Sequence, residues 1–319
     1  MFSGQTEEKM KKLDVVLKIS GLAILLVLMG IGNASAKKYP ELDHPEFENF
    51  REGSPAFNGE LQVVAFNLEY GRHLDEELAY LSARLKKNPA TVLLLSECDQ
   101  YHSRSGDKFV AKEIARALKM DMAYVIEYVE YNDQTPATPG TTGNAILSPF
   151  PLTDVSVIRH REAFSWTDWG WLMGQPRKGG VVALGATVNV PGGPAVRVYC
   201  LHLESNTIHP LRGMQMLDVL PEADRFPGPL VLGGDFNSLP HTSAVRLGKR
   251  IGLKNAFAGD CKPTAWCFLP GDTLHCVVKI DWILYRGLEL QSREVTPLMT
   301  AEKKRVSDHA AVSAVFRVK

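Results

Sequence analysis

The sequence predicts a single α/β domain, and three observations carry that expectation. Short apolar runs rich in Val, Leu and Ile recur along the chain, each of a length suited to a buried strand. Stretches with leucines at helical spacing alternate with them. No linker or internal repeat separates the two kinds of segment, so residues 58–319 read as one unit. At 319 residues, with 45% hydrophobic and 23% charged residues, the chain has ample material for a core and an ordinary globular balance.

The first segment has its own character. Lys9, Lys11, Lys12 and Lys18 precede an apolar run from Ile19 to Ile31, and Ala34-Ser35-Ala36 follows. This is the layout of a secretory signal with a small-residue cleavage site. The run is shorter than the about 20 residues a spanning helix needs, and an uncleaved anchor is the alternative. Residues 1–36 are therefore expected to be a signal peptide and the protein to be exported, periplasmic or extracellular. Residues 37–57, polar and carrying Pro40, Pro45 and Pro55, read as an irregular lead-in.

Leu61–Glu69 reads as a strand, and Leu74, Leu78, Leu81 and Leu85 mark a helix that Asn88-Pro89 ends. Thr91–Ser96 is a second buried strand that delivers Glu97. A helix follows from near Asp107 to Met120, with Val110, Ile114 and Leu118 on one face. Residues 132–143 form a Thr/Pro/Gly-rich loop, and Gly143–Ser148 a short strand closed by Pro149-Phe150-Pro151. A loop with Trp166, Trp169 and Trp171 comes next. Val181–Val190 and Ala195–Leu203 form a hairpin across Pro191-Gly192-Gly193-Pro194, and its second strand delivers His202. A helix with Leu211, Met214, Leu217 and Leu220 precedes the strand Leu230–Leu232, which ends in Gly233-Gly234-Asp235-Phe236-Asn237. Residues two apart on an extended chain share a face, so Asp235 and Asn237 are expected to look into one cleft. The glycines allow a close backbone approach there. Lys279–Tyr285 is a strand carrying Asp281, and Ser307-Asp308-His309 precedes a last strand, Ala310–Val318.

The candidates are Asn67, Glu69, Glu97, Asn144, His202, Asp235, Asn237, Asp281, Asp308 and His309, and most of them lie within or at the end of an apolar strand. A lone buried charge is too costly to keep, so such acids are paired, hydrogen-bonded or on a metal. Each residue alone has an ordinary structural reading as a satisfied strand-end acid, a turn or a core histidine. Ten together point to a site. Attack on a phosphodiester needs charge stabilisation, a positioned water and a proton donor, and this residue set supplies each.

The motifs FNLEYG (66–71), LLLSECD (93–99), GNAILS (143–148), LHLESN (201–206), GGDFNSLP (233–240), KIDWILY (279–285) and SDHAAV (307–312) follow one another in this order. The chain resembles the endonuclease/exonuclease/phosphatase superfamily, over nearly all of residues 61–318. The resemblance implies a four-layer α/β/β/α sandwich of two mixed β-sheets with helices outside and the site at one edge. It implies that Glu97 is the main metal ligand, helped by Asn67 and Asp308, and it leaves the part of Glu69 open. Hard oxygen ligands of this kind suit Mg²⁺, with Mn²⁺ or Ca²⁺ as alternatives. Asp235 would orient or deprotonate the attacking water, and Asn237 would hold that water or the phosphate. Asp281 would orient His309 as proton donor, while His202 and Asn144 would contact the phosphate.

The function expected is an exported metal-dependent hydrolase of phosphoric esters, phosphodiesters above all, acting as a monomer. Alternatives are an extracellular nuclease, a phospholipid or sphingomyelin phosphodiesterase with the Trp loop as membrane contact, and a catalytically dead binding protein. The formal net charge of zero argues against a protein held to duplex DNA through many phosphates. Of five cysteines, Cys98 and Cys200 sit in apolar strands as buried thiols, and Cys261, Cys267 and Cys276 are close enough in sequence for one disulfide.

Overall fold

The computed structural model of the chain describes residues 39–131, 139–161, 176–268 and 275–319. The signal segment and the loop bearing Trp166, Trp169 and Trp171 lie outside them, as does most of the 132–143 loop.

In chain order, β1 (Glu46–Asn49), β2 (Glu60–Tyr70), helix α1 (Leu74–Lys87), β3 (Thr91–Gln100), helix α2 (Val110–Leu118), β4 (Asp121–Glu130) and β5 (Thr141–Ser148) make the first half. β6 (Leu152–Arg159), β7 (Arg177–Gly179), β8 (Val182–Val188), β9 (Val196–His202), helix α3 (His209–Arg225) and β10 (Leu230–Asp235) follow. The last part holds helix α4 (Ser243–Leu247), β11 (Lys254–Asn255), β12 (Ala265–Phe268), β13 (His275–Val278), β14 (Asp281–Arg286), β15 (Glu289–Thr296) and β16 (Ala311–Arg317). One sheet runs β1-β4-β5-β3-β2-β16-β15, with β7 added on β4; the other runs β11-β14-β10-β9-β8-β6. Each sheet has a single parallel pair, β2/β3 in the first and β9/β10 in the second, amid antiparallel neighbours. The two mixed sheets pack face to face, with Leu94, Ala65, Leu201, Leu232 and Ile283 in the shared core. Helices α1 and α2 cover the outer face of the first sheet, where Leu81, Ile114, Phe66 and Tyr124 form a second core. Helix α3 covers the second sheet through Met216, Val219 and Ala223. This is the four-layer sandwich.

Three details differ from the sequence reading. The lead-in 37–57 contains β1, which pairs with β4 through its main chain while its side chains stay mostly exposed, so no apolar pattern marks it. The buried face of α3 is Leu211, Gln215, Met216, Val219 and Ala223; Leu217 points outward, because the true stripe follows a mixed three- and four-residue step. β15 is a polar edge strand without alternation.

Candidate active site

Both parallel pairs end at the same edge of the sandwich. On the second sheet three adjacent strands place His202, Asp235 and Asp281 side by side, since Asp235 is register partner to both others. The approach is close: Gly234 has φ +142°, and a Cβ there would lie 1.9 Å from the Leu201 carbonyl oxygen, so only glycine fits.

The first sheet presents its acids by another device. The ladder slips between Asn67 and Tyr70, between Leu95 and Cys98, and between Ile126 and Tyr128. Glu69, Glu97 and Glu127 sit in those three irregularities. A bulge re-aims a side chain that regular alternation would send elsewhere. Glu69 and Glu97 also have positive φ, 45° and 51°, as does Asn237 at 45°. Strained backbone of this kind persists where the surroundings over-determine it, which is typical of functional sites.

The side chains converge. Asn67 Nδ2 donates to Glu97 Oε1 at 3.0 Å and to Asp235 Oδ2 at 3.3 Å. Asp235 Oδ2 lies 3.6 Å from His309 Nε2 and 3.9 Å from His202 Nε2. His202 Nε2 is in turn 3.8 Å from Glu97 Oε1. Asn237 donates its main-chain N–H to Asp235 Oδ1 at 2.8 Å and its Nδ2 to the Leu203 carbonyl at 2.8 Å. Glu69 Oε2 accepts the main-chain N–H of Asp308 at 2.8 Å. The loop carrying Asp308 and His309 is pinned by Ser307, whose hydroxyl donates to the Asn67 carbonyl.

Each histidine has a buried carboxylate behind it. His309 Nδ1 is 3.0 Å from Asp281 Oδ2, and His202 Nδ1 is 2.8 Å from Glu127 Oε2. Burial opposes charge on both rings, yet the acids win. Glu127 with Asp235 and Glu97 pushes His202 up to about 10. Asp281 with Asp235 holds His309 well above the usual imidazole range. The carboxylates thus favour the imidazolium form of both rings, whose Nε2 atoms face Asp235. Burial pushes Asp235 up to about 6, against the pull of His309, and it is still mostly ionised at pH 7.

Glu127 was not among the residues the sequence pointed to. Its signal is the one that marks Glu97, an acid within an apolar run, here residues 122–129. Asn144 lies deeper than expected. It is fully buried, its Nδ2 donates to Glu127 Oε1 at 3.0 Å and to the Val182 carbonyl at 2.8 Å, and its Oδ1 has no partner. It supports Glu127 rather than lining the cleft.

Two groupings could hold a cation. Asp235, Asp281 and His309 have ligand atoms within 4.8 Å of one another. In that group Asp281 is already engaged by His309 Nδ1. Glu97, Asp308, Glu69 and Asn67 offer oxygen donors with no histidine bonded among them. Burial and the charges of Glu97, Glu69 and Asp235 push Asp308 up to about 7, a deficit of positive charge that a hard divalent ion would relieve. The donor chemistry of the second grouping suits a hard cation, although its carboxylates do not form as compact a group as the first.

A model of the Endonuclease/Exonuclease/phosphatase family matches residues 64–309. The chain belongs to that family. Its members are phosphoester hydrolases that typically depend on a divalent metal. No curated protein matches the sequence. Among solved structures, an endonuclease/exonuclease/phosphatase from Beutenbergia cavernae superposes with a TM-score of 0.58 at 18% identity, over 82% of this chain and 72% of that one. The human Nocturnin catalytic domain with bound sulfate anion gives 0.57 at 17% identity, covering 89% of this chain and 100% of that one. D. rerio TDP2 complexed with single strand DNA product gives 0.54 at 15% identity, with 81% and 99% covered. At these identities the likeness is one of fold.

Among the described residues no helix is long and apolar enough to cross a membrane. Cys98 and Cys200 are buried free thiols, and Cys261 is exposed and free. Cys267 and Cys276 are register partners on β12 and β13, but their side chains lie outside the described residues.

Proposed function

We propose that the protein is an exported, divalent-metal-dependent phosphodiester hydrolase that uses Mg²⁺. The observation that carries this reading is the meeting of an ionised Asp235 with two acid-backed imidazolium groups, His202 and His309, beside Glu97. Glu97, Asp308 and Asn67 would hold the ion, with Glu69 holding Asp308 by its main chain; when bound, the ion supplies charge for the phosphoryl oxygens. Asp235, near neutral in its proton affinity, orients the attacking water and takes its proton. His309 and His202 donate Nε2–H to phosphoryl oxygens, and His309 is the group set to give a proton to the leaving oxygen. Asn237, fixed by Leu203 and Asp235, keeps the water and phosphate in line.

A phosphodiester is the expected substrate, and His309 would protonate its leaving oxygen. The net charge of zero supports small or single-stranded substrates over duplex DNA. The test is release of p-nitrophenol from bis-p-nitrophenyl phosphate and from p-nitrophenyl phosphate by purified protein, with and without Mg²⁺. Metal-dependent turnover faster on the diester is expected; turnover on neither, or only on the monoester, rejects the reading. The export proposal predicts a mature chain starting near Lys37, read by N-terminal sequencing of protein recovered outside the cytoplasm; a chain starting at Met1 there favours an anchor.

A further inference from the structure

The cleft of about 490 Å³ that opens on Glu97, Asp235 and His309 has a wall that the chemistry does not use. It consists of Leu239, Trp266, Val278 and Ile280. Leu239 is 39% exposed, one of few large apolar side chains so open among the described residues. The guanidinium of Arg305 lies over the Trp266 ring, 3.6 Å from its centroid, and Arg305 itself does not line the cleft. Trp266 thus lines the cleft while a cation is stacked on its ring. Stacking of this kind locks the ring plane.

The plane is also tied to the reacting groups. The Trp266 main-chain N–H donates to the Asp308 carbonyl at 2.9 Å, and Ala265 forms a β-bridge with His309. Thr264, two residues before Trp266, accepts the main-chain N–H groups of Ile280 and Asp281 at 3.0 Å each. The aromatic wall is therefore held in one frame with the His309–Asp281 pair. Trp266 and His309 line the same cleft, so a group attached to a phosphate at His309 lies within reach of the indole.

We infer that Trp266 is a specificity-determining stacking platform that selects phosphoesters bearing a planar aromatic ring. This rests on the hydrolase reading for the phosphate end of the cleft. A flat ring gains from a rigid indole face, and Leu239, Val278 and Ile280 exclude water from its edges. A flexible acyl chain needs apolar area but no plane, and that difference separates the two.

Binding tests the inference without turnover. Calorimetric Kd values are measured for methyl phenyl phosphate and dimethyl phosphate, on metal-free wild type and on metal-free Trp266→Ala, Trp266→Phe and Trp266→Leu. The wild type is expected to prefer the phenyl ester by about 5- to 150-fold, the range that stacking on one aromatic side chain supplies. Trp266→Phe keeps most of the preference, and Trp266→Ala and Trp266→Leu lose it. Equal binding of the two esters by the wild type, no binding of either, or a preference kept in Trp266→Leu overturns the inference; the last result marks an apolar slot instead. Should the alanine variant fail to fold, the Phe and Leu variants decide. A phenyl preference in a protein that hydrolyses no phosphoester sinks the hydrolase reading and leaves the platform standing. Hydrolysis without the preference does the reverse.

Discussion

The two sides of the cleft carry raised proton affinities for opposite reasons. On one side Asp308 is pushed up by burial, against the pull of His309, and by the nearby carboxylates Glu97, Glu69 and Asp235. On the other, His202 and His309 are pushed up because Glu127 and Asp281 pair with them. The first pattern describes a place short of positive charge; the second describes a place that already holds its protons. The same direction of shift therefore accords with the proposed metal on one side and the proposed proton transfer on the other, and only the partners tell them apart.

The comparison breaks most visibly at Asp235 and His309. Asp235→Asn and His309→Ala are each expected to lower kcat by about 10²- to 10⁴-fold with the fold intact, checked by steady-state kinetics beside thermal melts. A loss of less than about tenfold at both would remove the proton-transfer side altogether. Asp281→Asn acts through His309, so the Asp281→Asn/His309→Ala pair is expected to lose little more than His309→Ala alone.

Glu127→Gln sharpens the same side. It deprives His202 of its charged partner, and a loss on the order of 10²-fold or more is expected, by analogy with the orienting acid of a catalytic triad. His202 in this variant should titrate well below its wild-type value, read by NMR of the imidazole; an unmoved titration contradicts the pairing.

The pH profile follows from the same charges. Asp235 must be ionised to act on water, so kcat/KM should fall as pH drops through about 6. His202 keeps its proton until about 10, so a loss on the alkaline side is expected only near there. An alkaline limb near pH 7 would mean that the imidazoles are not held charged.

The smallest effect comes from a buried acid away from the cleft. Glu77 on α1 is fully buried, its oxygens have no partner, and burial pushes it up to about 8 from an ordinary 4.5. Between these values the unfolded chain releases a proton that the folded chain keeps, so stability falls as pH rises from about 4.5 to about 8. Glu77→Leu should flatten that slope and stabilise by about 1–3 kcal/mol, since an unsatisfied buried polar group is removed. Activity should not change. Denaturant melts across this range check it, and an activity loss would show that burial alone marks a functional group here.

Much of this was legible in the sequence because the site hangs on apolar strands. Glu97, His202, Asp235 and Asp281 each end or begin a Val/Leu/Ile run, and their places follow from it. Glu127 was harder to read, since it falls in the middle of β4 where regular alternation does not mark a bulge. Asn144 was expected at the phosphate from the family resemblance, whereas its depth depends on packing against β8 and β4. Trp266 carries no motif at all; its meaning comes from Arg305 and Asp308, which are distant in sequence.

The division of the cleft is tested most directly by calorimetric titration of Mg²⁺ or Mn²⁺ into the wild type, Glu97→Gln and His309→Ala. Glu97→Gln is expected to lose metal affinity and activity together, and His309→Ala to keep metal affinity while losing activity. Metal binding lost in His309→Ala and kept in Glu97→Gln would place the ion among Asp235, Asp281 and His309, and would contradict the assignment of the two sides.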